Sequence, residues 1–171
     1  NFPSPPRFPR PRRRRGWLSA IALLLMLAAF AYGKWNEAHE AISGAGQKIH
    51  VSDGDSFAIG KRRLRLNDID APELAQNCTA ANGQPWPCGK QAKTSLEKLL
   101  NRPDLACSVS TQDQFGRAVA TCSVAGIEDV GSAQVKAGMA VSHEYMTMRT
   151  YGDEEDEAKA AKRGIWQGEF Q

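Results

Sequence analysis

Little in this sequence suits the commonest catalytic devices. Its three histidines, His39, His50 and His143, are scattered and match neither Cys nor Glu at metal-ligand spacing. That argues against a histidine-based zinc centre. No spacing of Ser, His and Asp recommends nucleophilic catalysis. The glycine-containing stretch "SGAG" at 43–46 does not lie between a strand and a helix, so a phosphate-cradling loop is excluded. The four cysteines include no C-x-x-C pair, which argues against structural zinc. A body-wide positive charge is also missing. The formal net charge is +3, but residues 1–45 hold seven Lys and Arg against two Glu, leaving −2 for the remainder. Any nucleic-acid contact must therefore rest on a local site, not on an overall field.

The basic charge is concentrated at the N-terminus. Residues 1–15, "NFPSPPRFPRPRRRR", are Pro- and Arg-rich and are expected to form a disordered cytoplasmic tail. Residues 16–33 include the uncharged run from Trp17 to Tyr32. This segment reads either as a transmembrane anchor or as a signal segment with a small-residue site at Ala29-Phe30-Ala31. Trp17, Tyr32 and Trp35 suit interfacial anchoring, and the uncleaved anchor is the favoured reading. Both readings export the rest of the chain, membrane-anchored in the first case and secreted in the second. Residues 34–46 read as a linker, and residues 47–171 as the folded domain.

Export makes the cysteines interpretable, because an even number in an oxidising compartment argues for disulfides. Cys107 and Cys122 lie in two β-like runs flanking a turn, where they can face each other. Cys78 and Cys88 bracket the loop "CTAANGQPWPC". The expected pairs are Cys78–Cys88 and Cys107–Cys122.

Within the domain, "KIHVSDGDSFAIGKRRLRL" reads as strand, turn, strand, turn, strand. Phe57 and Ile59 alternate on the second strand, and Leu64 and Leu66 on the third. Ala92, Leu96, Leu99 and Leu100 share one face of a helix over Gly89–Leu100. Two strands follow, near Leu105–Ser110 and Ala118–Val124. Helices are expected near Asp129–Ala137 and Asp153–Arg163, the latter stopping at Gly164. Five strands and about three helices in this order suggest a small Greek-key β-barrel with helices packed at its side.

What remains for chemistry is carboxylates and arginines. Asp53 and Asp55 flank Gly54 at a strand corner. Asp68 and Asp70 follow the third strand, and Glu73 comes just after Pro72. Folding the hairpin at Gly60-Lys61 returns Asp55 close to Asp70. Clustered carboxylates repel unless one protonates or a cation intervenes. Donors that are all oxygen select Ca²⁺ or Mg²⁺. Arg65, on the face opposite Leu64 and Leu66, offers a planar fork suited to phosphate oxygens. Lys61, Arg62 and Arg63 read as solvated, and Asp53 and Asp68 as corner residues.

The blocks "DGDSF", "LRLNDIDAPE", "DQFGRAVA", "GMA" and "AKAAKRGIW", in that order from about Lys48 to Phe170, resemble the staphylococcal nuclease-like (thermonuclease) family. The resemblance implies a five-stranded OB-type barrel with three helices, and a Ca²⁺-dependent phosphodiesterase acting on DNA or RNA. It implies that Asp55, Asp70 and the Ala71 carbonyl hold calcium. It implies that Glu73 is the general base, and that Arg65 and Arg117 clamp the scissile phosphate. Phe115 stands where Tyr is common, and the paired tyrosines of the nucleotide pocket are not clearly reproduced around Tyr145. The expected partners are nucleic acid and, through the N-terminal segment, a membrane. The expected state is a monomer. The alternative is a non-catalytic OB-type nucleic-acid-binding domain at the cell surface.

Overall fold

The computed structural model describes residues 15–37, 40–145 and 148–168. The tail before Arg15, His39, Met146 and the end of the "GEF" block lie outside the described residues. The chain divides into two units, Asn1–Glu37 and Ala38–Gln171.

The first unit contains helix α1, Arg15–Glu37. The expectation of a membrane anchor is corrected here. Among the described residues, no helix is long and apolar enough to cross a membrane. The physical reason is length. At 1.5 Å per residue the uncharged run Gly16–Gly33 reaches about 27 Å, short of the ~30 Å hydrocarbon core. Arg15, Lys34 and Glu37 in the same helix then bring charge to both of its ends.

The second unit is built on a curled mixed sheet of six strands. They are β1 (Ala41–Ser43), β2 (Ile49–Val51), β3 (Ser56–Ile59), β4 (Arg62–Leu66), β8 (Ala106–Gln112) and β9 (Ala118–Ser123). Their order is β1-β8-β9-β4-β3-β2. The pairings are antiparallel except β4 with β9, which is parallel. Three two-stranded pieces complete the β structure. Strand β5 (Ile69–Asp70) pairs with β10 (Val141–Ser142), β6 (Cys78–Thr79) with β7 (Pro85–Trp86), and β11 (Glu144–Tyr145) with β12 (Met148–Arg149). The helices of this unit are α2 (Cys88–Leu100), α3 (Val130–Lys136) and α4 (Gly152–Ala160), followed by a 3₁₀ turn, Gly164–Gln167.

The five expected strands are present, and the sheet gains a sixth. Ala41–Ser43, in the stretch read as a linker, adds an edge strand to β8. The result is a half-barrel rather than a closed five-stranded barrel. A register shift between Val109 and Thr111 on β8 marks a bulge, which increases local twist and helps the sheet curl.

The concave face encloses the core. Phe57, Leu64, Leu66, Leu105, Val109 and Ala120 meet Leu96 and Leu100 of α2 and Val130 and Val135 of α3. Each large aliphatic or aromatic side chain buried this way contributes about 1.5–3 kcal/mol. Cys107 faces Cys122 across β8 and β9 and is bonded to it. The second disulfide, Cys78–Cys88, closes the loop before α2. It sits in a separate small cluster with Ile165, Trp86 and Trp166. Both pairs are those expected.

Candidate active site

The corner before β3 is fixed by Asp53. Its Oδ1 accepts from the N–H groups of Asp55 at 3.1 Å and Ser56 at 2.8 Å. A short polar side chain that bonds its own backbone stabilises such a turn. Gly54 is required at its centre. A Cβ there would lie 2.6 Å from the Ala71 Cβ and 2.7 Å from the Ala92 Cβ. The corner is thereby wedged between the segment after β5 and helix α2.

The same corner is tied from behind. Gln134 of α3 is fully buried. Its Nε2 donates to the Gly54 carbonyl at 2.8 Å and to the Ala92 carbonyl at 3.2 Å, while Ser95 Oγ donates to its Oε1. One amide thus satisfies the otherwise orphaned Gly54 carbonyl, adds a second donor to the helical Ala92 carbonyl, and links α2, α3 and the Asp53–Asp55 turn.

Opposite this corner, β4 delivers Arg65. Leu64 and Leu66 face the core, so Arg65 emerges on the other side, in register with Ser56. Its Nη2 lies 2.7 Å from Asp70 Oδ1 and 3.1 Å from Asp55 Oδ2. One guanidinium therefore spans the two carboxylates. Asp55 is 3% exposed. It also accepts from Ser56 Oγ at 2.6 Å and from the Ala71 N–H at 3.2 Å. Burial pushes its carboxyl up to about 6; the Ser56 hydroxyl, Arg65 and the Ala71 N–H pull it down, and Asp53 adds to the rise.

Arg117 approaches from the turn between β8 and β9. Asp113 Oδ1 accepts from the Phe115 and Arg117 N–H groups, both at 2.9 Å, and its Oδ2 accepts from Arg117 Nε at 2.6 Å. Burial works against the charged Asp113, but these donors hold its carboxyl below the usual range. Arg117 Nη1 then reaches Ser56 Oγ at 2.9 Å. Arg65, Asp113, Phe115, Arg117 and His143 line a shallow groove of about 290 Å³.

The structure thus brings Asp55, Arg65, Asp70 and the Ala71 amide together, with Arg117 joined through Ser56. Glu73 is placed differently. It is exposed, and its carboxylate has no hydrogen bond or ion pair with a described residue. Its backbone N–H donates to Gln76 Oε1 at 3.1 Å. Among the described residues there is no cluster of three or more His, Cys, Asp or Glu able to hold a metal. The oxygen-only pair Asp55 and Asp70, one of them buried, nevertheless suits a hard cation. Asp68 is a turn residue. Its φ is +55°, and its side chain accepts from Asn67 and Thr150.

Ser56, Asp113, Gln76 and Gln134 are positioning residues that spacing alone did not single out. Ser56 and Asp113 stand inside the "DGDSF" and "DQFGR" blocks, which was their available signal. Gln134 showed only as a polar residue at a helix position where the resembled family tends to place Leu.

Comparison with known proteins places the chain in a family. Residues 63–168 match the model of the family described as Staphylococcal nuclease homologue. A Rhizobium meliloti (strain 1021) protein named Succinoglycan biosynthesis protein ExoI is 32% identical over 158 residues, covering 91% of this chain and 81% of its own. Probable staphylococcal-like nuclease CAN2 of Oryza sativa subsp. japonica is 33% identical over 129 residues, covering 74% of this chain. Probable endonuclease LCL3 of Phaeosphaeria nodorum is 32% identical over 128 residues, covering 68% of this chain. The chain spans only 32% and 42% of the lengths of these last two relatives.

Proposed function

The chain belongs to the staphylococcal nuclease homologues, and from that premise we propose that it is a calcium-dependent phosphodiesterase hydrolysing DNA or RNA. The observation that carries the reading is Arg65 spanning Asp55 and Asp70, with Arg117 bound to the same corner through Ser56. Two guanidinium forks converge beside two carboxylates, which is the equipment for a phosphodiester whose charge grows during attack.

In this reading Asp55, Asp70 and the Ala71 carbonyl hold Ca²⁺, which supplies Lewis-acid stabilisation of the phosphoryl oxygens. Glu73, exposed and free of competing partners among the described residues, accepts a proton from the attacking water. The new bond joins water oxygen to phosphorus, and the bond from phosphorus to the 5′ oxygen breaks. The leaving 5′ oxygen takes a proton from a solvent water, so the products are a 3′-phosphate and a 5′-hydroxyl. Arg65 and Arg117 donate to the non-bridging oxygens. Asp113 and Ser56 keep Arg117 aimed, so little reorganisation is needed as charge develops. The two disulfides favour work in an oxidising compartment.

The test is an assay of the full chain on single-stranded DNA and RNA with calcium or with a chelator. Cleavage that needs calcium is expected. Retained binding without cleavage in calcium would make the domain a non-catalytic nucleic-acid binder instead.

A further inference from the structure

Strand β4 carries a second arginine on the catalytic face. Leu64 and Leu66 are buried, so Arg63 emerges with Arg65, in register with Ala58 of β3. Same-face residues two apart on a strand are separated by about 6.6–6.8 Å. One nucleotide step of an extended single strand is a repeat of that order.

Arg63 is also unmatched in charge. Arg62 pairs with Glu40, Arg65 with Asp55 and Asp70, and Arg117 with Asp113. Arg63 has no carboxylate partner among the described residues. Its one side-chain hydrogen bond among the described residues runs from Nη2 to the Phe115 carbonyl, at 2.6 Å, on the turn that carries Arg117. A guanidinium has five N–H donors, so four stay available. The bond to Phe115 holds the exposed head at a turn that lines the groove, rather than leaving it to sample solvent. The Phe115 ring itself is 63% exposed, with the Arg117 guanidinium 5.5 Å from its centroid. An exposed ring backed by arginine presents a stacking surface to an unpaired base, which a duplex does not offer.

We propose that Arg63 binds the phosphate next to the scissile one, so that the substrate is a single strand of at least two phosphodiesters running along β4. This rests on the nuclease reading, which puts the scissile phosphate at Arg65 and Arg117.

The experiment uses the full chain, wild-type and with Arg63→Gln or Arg63→Lys. Binding of a fluorescent hexathymidylate is measured in chelator at several salt concentrations. Cleavage of that hexamer and of a dithymidine monophosphate is measured in calcium. Arg63→Gln is expected to weaken hexamer binding about tenfold and to lower the slope of log affinity on log salt by ~0.7. The kcat/KM preference for the hexamer over the dinucleotide should fall by a similar factor, and Arg63→Lys should restore most of the slope. An unchanged slope and preference would overturn the proposal. So would an equal loss on both substrates without a change of slope, because Arg63 would then only brace the Phe115 turn. If the wild-type cleaves neither substrate yet shows the Arg63-dependent salt slope, the phosphate site stands and the hydrolytic reading falls. Absence of both cleavage and binding overturns both.

Discussion

Asp113 holds Arg117 from two sides, accepting its backbone N–H at 2.9 Å and its Nε at 2.6 Å. The remaining edge of the guanidinium is turned toward Ser56 and the Asp55 corner. Asp113 touches no substrate in this arrangement, so its effect on catalysis is through Arg117. Asp113→Ala is expected to lower kcat roughly 10- to 100-fold, or about 1.4–2.7 kcal/mol in the barrier, with a smaller effect on KM. Steady-state kinetics on an oligonucleotide would show it. A loss confined to KM would mean that Arg117 aids binding and not the transition state.

Arg65 and the proposed calcium compete for the same oxygens of Asp55 and Asp70. Removing the guanidinium should therefore move two observables in opposite directions. Arg65→Gln is expected to lower kcat by about 10²–10³-fold, the usual cost of one oxyanion donor. It should also tighten calcium about tenfold, equivalent to ~1.4 kcal/mol, because a like charge has been removed. Calorimetric titration with calcium measures the second effect. Weaker calcium binding by a folded variant would dispose of Asp55 and Asp70 as the ligands.

The legible parts of this molecule were those with local rules. Strand β4 announces itself by Leu64 and Leu66, and alternation alone puts Arg65 on the far face. The Asp55 corner and the Asp113–Arg117 turn are written in short motifs whose side chains bond their own backbones. Contacts made only by tertiary pairing were not legible. Strand β1 has three residues, too few to display alternation, and exists because β8 offers it an edge. Arg63 stood in a run of basic residues, and its tie to Phe115 crosses 52 positions. The run Trp17–Tyr32 misled because apolarity was plain while length was short of a span.

Gln134 is the clearest such case, since its bond to Gly54 crosses 80 positions. Gln134→Leu preserves approximate volume but strands the buried Gly54 carbonyl. A loss of about 1–3 kcal/mol in unfolding free energy is expected from that desolvation. Calcium affinity should fall as well, because the orphaned carbonyl belongs to the corner that carries Asp55. Denaturant unfolding and calcium titration test the two effects separately. Lost stability with unaltered calcium affinity would reduce Gln134 to a core residue.

The Cys78–Cys88 bond bears on Glu73 through the chain. Gln76 accepts from the Gly89 N–H at 3.2 Å, and the turn Glu73–Gln76 is closed at 2.8 Å. Gly89 must be glycine, because a Cβ there would lie 1.8 Å from the Glu73 carbonyl. The disulfide joins residues just beyond Gln76 and just before Gly89, so it locks this contact. Replacing both cysteines by serine is expected to cost about 3 kcal/mol by the loop-closure estimate. It should lower kcat while leaving the salt dependence of binding alone. The same kcat in the two forms at a temperature where both are folded would show that Glu73 is positioned without the disulfide.

Tyr151 is expected to contribute to the loss of stability at alkaline pH. Its hydroxyl donates to Asp129 Oδ2 at 2.8 Å, while Asp129 Oδ1 caps α3 through Gly131 and Ser132. Burial raises the phenol well above its ordinary value of 10.0, and the Asp129 hydrogen bond, with the charges of Asp129, Asp68 and Glu154, raises it further. A folded-state value above the unfolded one means that the protonated form is favoured by folding. The contribution is thus complete below about pH 10 and is lost as pH rises from there toward the folded value. Thermal melts should accordingly be steady in this respect up to about pH 10 and fall beyond it. Tyr151→Phe should begin about 1 kcal/mol less stable, yet lose less with each further step in pH. Because lysines titrate in the same range, the difference between the two proteins is the quantity to follow. Parallel alkaline decline would mean that another group ties the start of α4 to the α3 cap, and with it to the helix on which Gln134 stands.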